Sequence, residues 1–314
     1  MSEATHGRLA AASVCLLLAA CGSLPDARPF ADATGTWSAS VKASGQALVD
    51  SLRDAGSVEP ADKNAYEQDI KKFEEAWSAR IKAAQGAVAY SGSIADVVAA
   101  AGETGQTVNK VADSLGALAG ASGITLAGPT VSVVSDVAKF VGAQVAIVRV
   151  SRKLEDAVAQ AQPAVESIAE HLVSESSQQL KPTLERTYKN IASGIKQQYE
   201  ADSNFAAAVA KRLEQARADA LKDPGKAGGL QELDRMLAAV GGRLKERDQR
   251  LDQAAASYKA RLQLVNALST TTLAWAAAHR DLAGAIRDKR KVNAAELQET
   301  IGDLRDLIKK VRAL

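Results

Sequence analysis

Residues able to do chemistry are few in this chain, and they are poorly grouped. Three histidines and two cysteines occur in 314 residues, and beyond Cys21 only His171 and His279 remain. His171 stands one helical turn before Glu175. A His/Glu pair at that spacing offers two metal ligands, short of the three or four a site needs, and reads far more readily as a solvated or bundle-edge pair. His279-Arg280-Asp281-Leu282 has the letters that open a phosphoryl-transfer loop, but Ile286 stands where that loop requires a metal-binding Asn. Gly102–Thr107 (GETGQT) has the glycine density of a phosphate cradle without its Lys or a preceding strand. No G-x-S-x-G elbow occurs, and carboxylate pairs such as Glu74/Glu75 lie in runs of mixed charge. These residues predict no catalytic site, no cofactor and no metal, so the chain is expected not to be an enzyme.

Cys21 has a different context. Arg8 precedes an apolar run, Leu9–Ala20 (LAAASVCLLLAA), of the length of a signal-peptide core and too short to span a bilayer. The run ends in Leu18-Ala19-Ala20-Cys21-Gly22, which resembles the lipobox of bacterial lipoproteins, with Cys21 at the acylated position. An ordinary secretory signal or a buried apolar helix are the other readings of the same residues. The resemblance implies that residues 1–20 are a lipoprotein signal peptide and that Cys21 carries palmitate-type acyl chains. With Gly22 rather than Asp after the cysteine, it further implies an outer-membrane lipoprotein facing the periplasm. Each buried CH₂ of an acyl chain contributes about 0.8 kcal/mol, so two or three chains anchor stably. Cys15 would leave with the leader, and the mature chain could then form no internal disulfide. Residues 21–36 hold Pro25, Pro29 and Gly35 without an apolar period, and read as the lipidated Cys and a flexible tether.

The rest is built to be helical. Charge is balanced, with 39 Lys+Arg against 37 Asp+Glu, which excludes a strongly cationic nucleic-acid binder. Only 4% of residues are aromatic, and alanine is abundant, which suits closely packed helices better than sheets. Trp37, Val41, Leu48 and Leu52 share one face of a first helix ending near Gly56. Tyr66, Ile70, Phe73, Trp77, Ile81, Ala84 and Val88 recur at spacings of 4, 3, 4, 4, 3 and 4. A helical period also runs from Leu154 to Leu172, with Pro163 able to kink it and Lys181-Pro182 to bend or end it. Asp223–Gly229 (DPGKAGG) reads as a hinge. After it, Leu233, Leu237, Val240, Leu244, Leu251, Ala254 and Tyr258 alternate in a coiled-coil rhythm, with Gly241-Gly242 as a soft spot. Asn293 with Glu296 marks the start of a last helix. The expectation is an all-α, elongated up-and-down bundle with long coiled-coil-like helices, residues 37–314 forming a single domain.

Residues 91–150 stand apart, rich in Ala, Gly, Val and Ser, without charge from Ser114 to Ser135, and split by Gly128-Pro129. In layout this apolar helical hairpin resembles that of helical pore-forming toxins of the cytolysin A and haemolysin BL type, which implies membrane entry. Asp96, Glu103, Lys110 and Asp113 oppose that, each costing about 2.5–3.5 kcal/mol at mid-bilayer. The other reading is that small residues let central helices approach closely in a bundle. The main functional expectation is a non-enzymatic structural or partner-binding lipoprotein, held by its lipid anchor. It would dock an envelope protein, or a second copy, through the helix 230–290 or the last helix, and would bind no nucleic acid. A pore-forming or remodelling role of residues 91–150 is the alternative.

Overall fold

The computed structural model describes residues 25–99, 109–118 except 112 and 117, 154–293 and 295–313. Among them no strand occurs, and the chain is all-α. Its long helices are α1 (Arg28–Val58), α2 (Lys63–Ala99), α3 (Leu154–Glu175), α4 (Lys181–Gln198), α5 (Glu200–Lys222), α6 (Leu230–Asp288) and α7 (Ala295–Arg312). The stretch from residue 109 to 118 is helical at its described positions. Residues sort into two compact units: Met1–Val41, Ser78–Val173 and Ser269–Asp303 form the first, and Lys42–Trp77, Ser174–Leu268 and Leu304–Leu314 the second.

In unit one, α1 and α6 meet through two indoles. Trp37 and Trp275 are fully buried and stack with ring centroids 4.7 Å apart and planes 2° from parallel. Trp37 Nε1 donates to Thr272 Oγ1 at 2.8 Å, and Trp275 Nε1 donates to Thr34 Oγ1 at 3.1 Å. Each buried indole thus finds its acceptor on the opposite helix, the condition under which a tryptophan can be wholly enclosed. Residues 28–36, expected in a tether, are the first turns of α1, and Phe30 is fully buried. Residues 271–286 of α6 are buried on most sides, with Leu273 as an exposed exception. On α2, the space of a missing side chain at Gly86 admits the Leu118 backbone: a Cβ there would lie 2.9 Å from Leu118 Cα. Ser93 and Ser114 hydroxyls join at 2.7 Å beside it. Residues 91–99 therefore continue α2 and the described residues of 109–118 pack on it, while residues 100–108 and 119–150, Gly128-Pro129 among them, lie outside the described residues.

In unit two the core is Ala55, Val58, Ile191, Ile195 and Tyr199, with Tyr66, Leu251 and Ala254 packed on it. Gly194 lets α4 approach the end of α1, since a Cβ there would stand 2.5 Å from Val58 Cγ1. Gln198 Nε2 donates to the Val58 carbonyl at 2.9 Å, satisfying one of the acceptors a helix end leaves open. Lys181-Pro182 does not end the helical run. The turn Ser176–Leu180 widens so that the Lys181 N–H reaches the Ser176 carbonyl, which relieves the clash a proline ring makes with a regular turn. Pro163 likewise stays inside α3. The hinge at Asp223–Gly229 is a short turn in which the Asp223 carboxylate accepts the Gly225 N–H at 3.1 Å. Gly241-Gly242 does not interrupt α6, which runs 59 residues. It ends with Lys289 at φ 51° and the Arg290 N–H on the Ala285 carbonyl, a left-handed cap that glycine usually provides. Asn293 Oδ1 then accepts the Ala295 N–H to open α7.

Two glycine substitutions separate close packing from propensity. A Cβ at Gly45 would fall 2.2 Å from the Trp77 ring, whereas Gly241 faces open space. Gly45→Ala should lower stability by about 1–3 kcal/mol through overpacking, and Gly241→Ala should raise it by about 0.5–1 kcal/mol through helix propensity. Thermal and denaturant midpoints of the two variants should move in opposite directions.

Candidate functional site

His279, which in the sequence belongs only to a letter match, is the centre of an enclosed polar chain among the described residues of unit one. It is fully buried on α6, and Phe30 packs against its ring at 5.9 Å between centroids. Tyr90 Oη lies 2.8 Å from His279 Nε2, and Gln162 Oε1 lies 2.6 Å from Nδ1. Burial pushes the imidazole pKa down to about 3 and the Tyr90 phenol far up, so both are neutral at ordinary pH. A neutral ring with an amide oxygen at Nδ1 must carry its proton there, leaving Nε2 to accept from Tyr90. Gln162 Nε2 in turn donates to Glu166 Oε1 at 2.8 Å and to the Ala276 carbonyl at 3.2 Å. Glu166 also receives Arg280, and these bonds, Gln162 first, hold its pKa below the usual carboxylate value.

The chain from Tyr90 through His279 and Gln162 ends on Glu166, with a side branch to the Ala276 carbonyl, and both ring nitrogens of His279 are engaged. The arrangement latches α2, α3 and α6 together, and it leaves no histidine lone pair for a substrate. The neighbouring letters diverge as well. Arg280 turns to Glu166, while Asp281 accepts Arg290 Nη2 at 2.6 Å and the Asn293 N–H, and so secures the connection into α7. The Arg290 bond is the main reason the Asp281 pKa is lowered. A loop for phosphoryl transfer needs these side chains to converge on one point, and here they serve three separate contacts.

The chain matches no family model, no curated protein and no solved structure. Function must therefore be read from its own residues. Cys21 and Gly102–Thr107 lie outside the described residues. Among the described residues, no group of three His, Cys, Asp or Glu side chains is placed to hold a metal, and no helix is long and apolar enough to cross a membrane.

Unit two contains what sequence reasoning missed, a cleft of about 580 Å³ between α1, α4, α6 and α7. Its floor is apolar, with Val58, Ile191, Ile195 and Ala254, and Tyr188 and Tyr258 stack at 4.7 Å along it. Four arginines and two aspartates line it. The signal in the sequence was the stripe Arg250, Gln253, Ser257, Arg261, which has helical spacing but is polar, and which the adjacent coiled-coil rhythm masked. Of the faces offered for docking, α7 turns Leu297, Ile301, Leu304 and Ile308 inward. The hairpin of α5 with the first part of α6 stays open: Phe205, Leu221 and Met236 are 48%, 88% and 38% exposed.

The buried histidine makes stability depend on pH with a definite sign. Its folded pKa lies below its ordinary value of 6.5. Between the two, the unfolded chain binds the extra proton, so stability is complete above about pH 6.5 and is lost as pH falls towards about 3, at up to about 1.4 kcal/mol per pH unit. Glu166 and Asp281, with lowered pKa values, add a loss of the same sign at the acid end. Unfolding midpoints from pH 8 to pH 4 should fall steeply in the native chain and less steeply in His279→Gln. Tyr90→Phe, which leaves the Nε2 lone pair buried without a donor, should cost about 1–3 kcal/mol at pH 7.

Proposed function

We propose that this chain is a non-enzymatic lipoprotein, acylated at Cys21, held at the periplasmic face of an outer membrane and working by binding a protein partner. The observation that carries the reading is the run Leu9–Ala20 ending in Leu18-Ala19-Ala20-Cys21-Gly22. Helical packing from Arg28 onward supports a short leash. Phe30 is already enclosed, so a body anchored at Cys21 is kept close to the lipid surface. At about 3.3–3.6 Å per residue at full stretch, the few residues from Cys21 to Pro25 reach no more than roughly 14 Å. The docking surface in this reading is the α5–α6 hairpin, whose Phe205, Leu221 and Met236 present large apolar side chains to solvent and which Arg217–Asp234 and Arg243–Asp202 ion pairs hold together. Surface pairs of that kind contribute about 0–1 kcal/mol each, so they leave room for a partner to reshape the hairpin.

Growth with an alkyne-tagged palmitate tests the anchor. The native chain should take up label and sediment with outer membranes, while Cys21→Ala should lose label and appear in the soluble periplasmic fraction. Label retained by Cys21→Ala, or none on the native chain, overturns the anchor. A photo-crosslinker at Phe205 or Met236 should then join the hairpin to an envelope protein or to a second copy, the two being told apart by mass.

A further inference from the structure

The cleft in unit two has the construction of a binding site, and nothing above assigns it a ligand. It is lined by two polar helix faces over an apolar floor. On α1, Asp50, Arg53, Asp54 and Ser57 follow one another at intervals of one helix face; on α6, Arg250, Gln253, Ser257 and Arg261 do the same. Polar stripes normally face water, and a buried polar group is the informative observation in a core. Arg261 is such a group, since only 7% of the residue is exposed.

The protein's own groups do not satisfy it. Arg261 Nη1 donates to Asp54 Oδ2 at 2.8 Å, while its Nε is shielded from solvent and has no acceptor. A buried guanidinium short of acceptors is costly. The neighbouring aspartates cannot make up the deficit. Asp50 already takes Arg53 at 3.2 Å and Gln46 at 2.9 Å, and Asp54 is half exposed at the rim. Arg250 has the amide oxygen of Gln198 at 2.8 Å and the face of Tyr199 beneath it, but makes no ion pair among the described residues. The cleft therefore holds more positive charge than it neutralises, beside an apolar floor and a stacked pair of tyrosines. Its volume of about 580 Å³ falls inside the range of about 300–1,000 Å³ typical of small-molecule sites.

We propose that this cleft binds a small organic anion, a carboxylate or phosphate monoester carried on an apolar body. Arg261 and Arg250 receive the charged head, where charge-assisted bonds are shortest and strongest. Arg312, at the cleft edge, adds a third cation. Val58, Ile191 and Ile195 receive the body. Asp54 acts as an internal competitor, occupying one arm of the guanidinium that the ligand would otherwise claim. The inference goes beyond the lipoprotein reading and does not depend on acylation of Cys21.

Calorimetry and thermal shift on the full chain test it with four probes: octanoate, octyl phosphate, octanol and acetate. One or both of the amphiphilic anions should bind at least about tenfold more tightly than octanol or acetate, and their order says whether the head is a carboxylate or a phosphate. Arg250→Gln and Arg312→Gln lie outside the packed core and should fold as the native chain does, which helical circular dichroism would verify. Each should weaken binding about three- to tenfold. Asp54→Asn should tighten it, and octanoate or octyl phosphate should raise the melting temperature of Asp54→Asn more than that of the native chain. Three outcomes overturn the proposal: no binding of either anion up to about 10 mM, octanol binding as well as octanoate, or undiminished affinity in both arginine variants.

Discussion

The register of α1 against α6 in unit one is set by an exchange of two hydrogen bonds across one aromatic stack. Thr34, Trp37, Thr272 and Trp275 are all buried, and each indole donates to the threonine of the other helix. As α1 is followed backwards from Trp37 to Thr34 to Phe30, the partner on α6 advances from Thr272 to Trp275 to His279. The helices are thus antiparallel, and slipping either by one turn, about 5.4 Å, would break the stack and strand two buried N–H donors together. Alanine-rich helices have smooth surfaces on which neighbouring registers differ little in energy. In a chain with 4% aromatic residues, this pair supplies the specificity that the small side chains lack, and it brings His279 to Tyr90 and Gln162.

Helix content was legible because apolar residues recur at 3 and 4 along most of the chain, and the start of α7 at Asn293 and the turn at Asp223–Gly229 were legible from local chemistry. What stayed hidden depended on partners distant in sequence. Trp37 was visible as a face residue, but its counterpart Trp275 is far along the chain and carries no local mark. His279 looked isolated for the same reason: its two hydrogen-bond partners lie on α2 and α3. The limits between the two units all fall inside helices, among them Val41/Lys42 in α1, Trp77/Ser78 in α2 and Leu268/Ser269 in α6, where the helical period runs on without a break. Residues 28–36 read as a tether because Pro29 and Gly35 are turn formers, yet Pro29 occupies the opening turn of α1, where its missing N–H costs nothing.

The two buried polar systems illustrate opposite uses of the same physics. Around His279 each donor meets an acceptor, the charge sits at the rim on Glu166 and Arg280, and the result is rigidity. Around Arg261 the charge itself is enclosed and its donors outnumber the acceptors at hand. Full satisfaction makes a latch, and deficit makes a receptor. The difference was invisible in the residue types, since both systems are assembled from ordinary helix-surface letters.

The placement of the tryptophans also gives each unit its own optical reporter. Trp37 and Trp275, enclosed and stacked with their planes nearly parallel, form a coupled pair in unit one whose contribution to circular dichroism depends on the stack being intact. Trp77, beside Phe73 and almost fully enclosed, belongs to unit two. The chain's three indoles therefore divide into a pair whose signal vanishes by separation and a single ring whose emission shifts by hydration, so the melting of each unit carries its own colour.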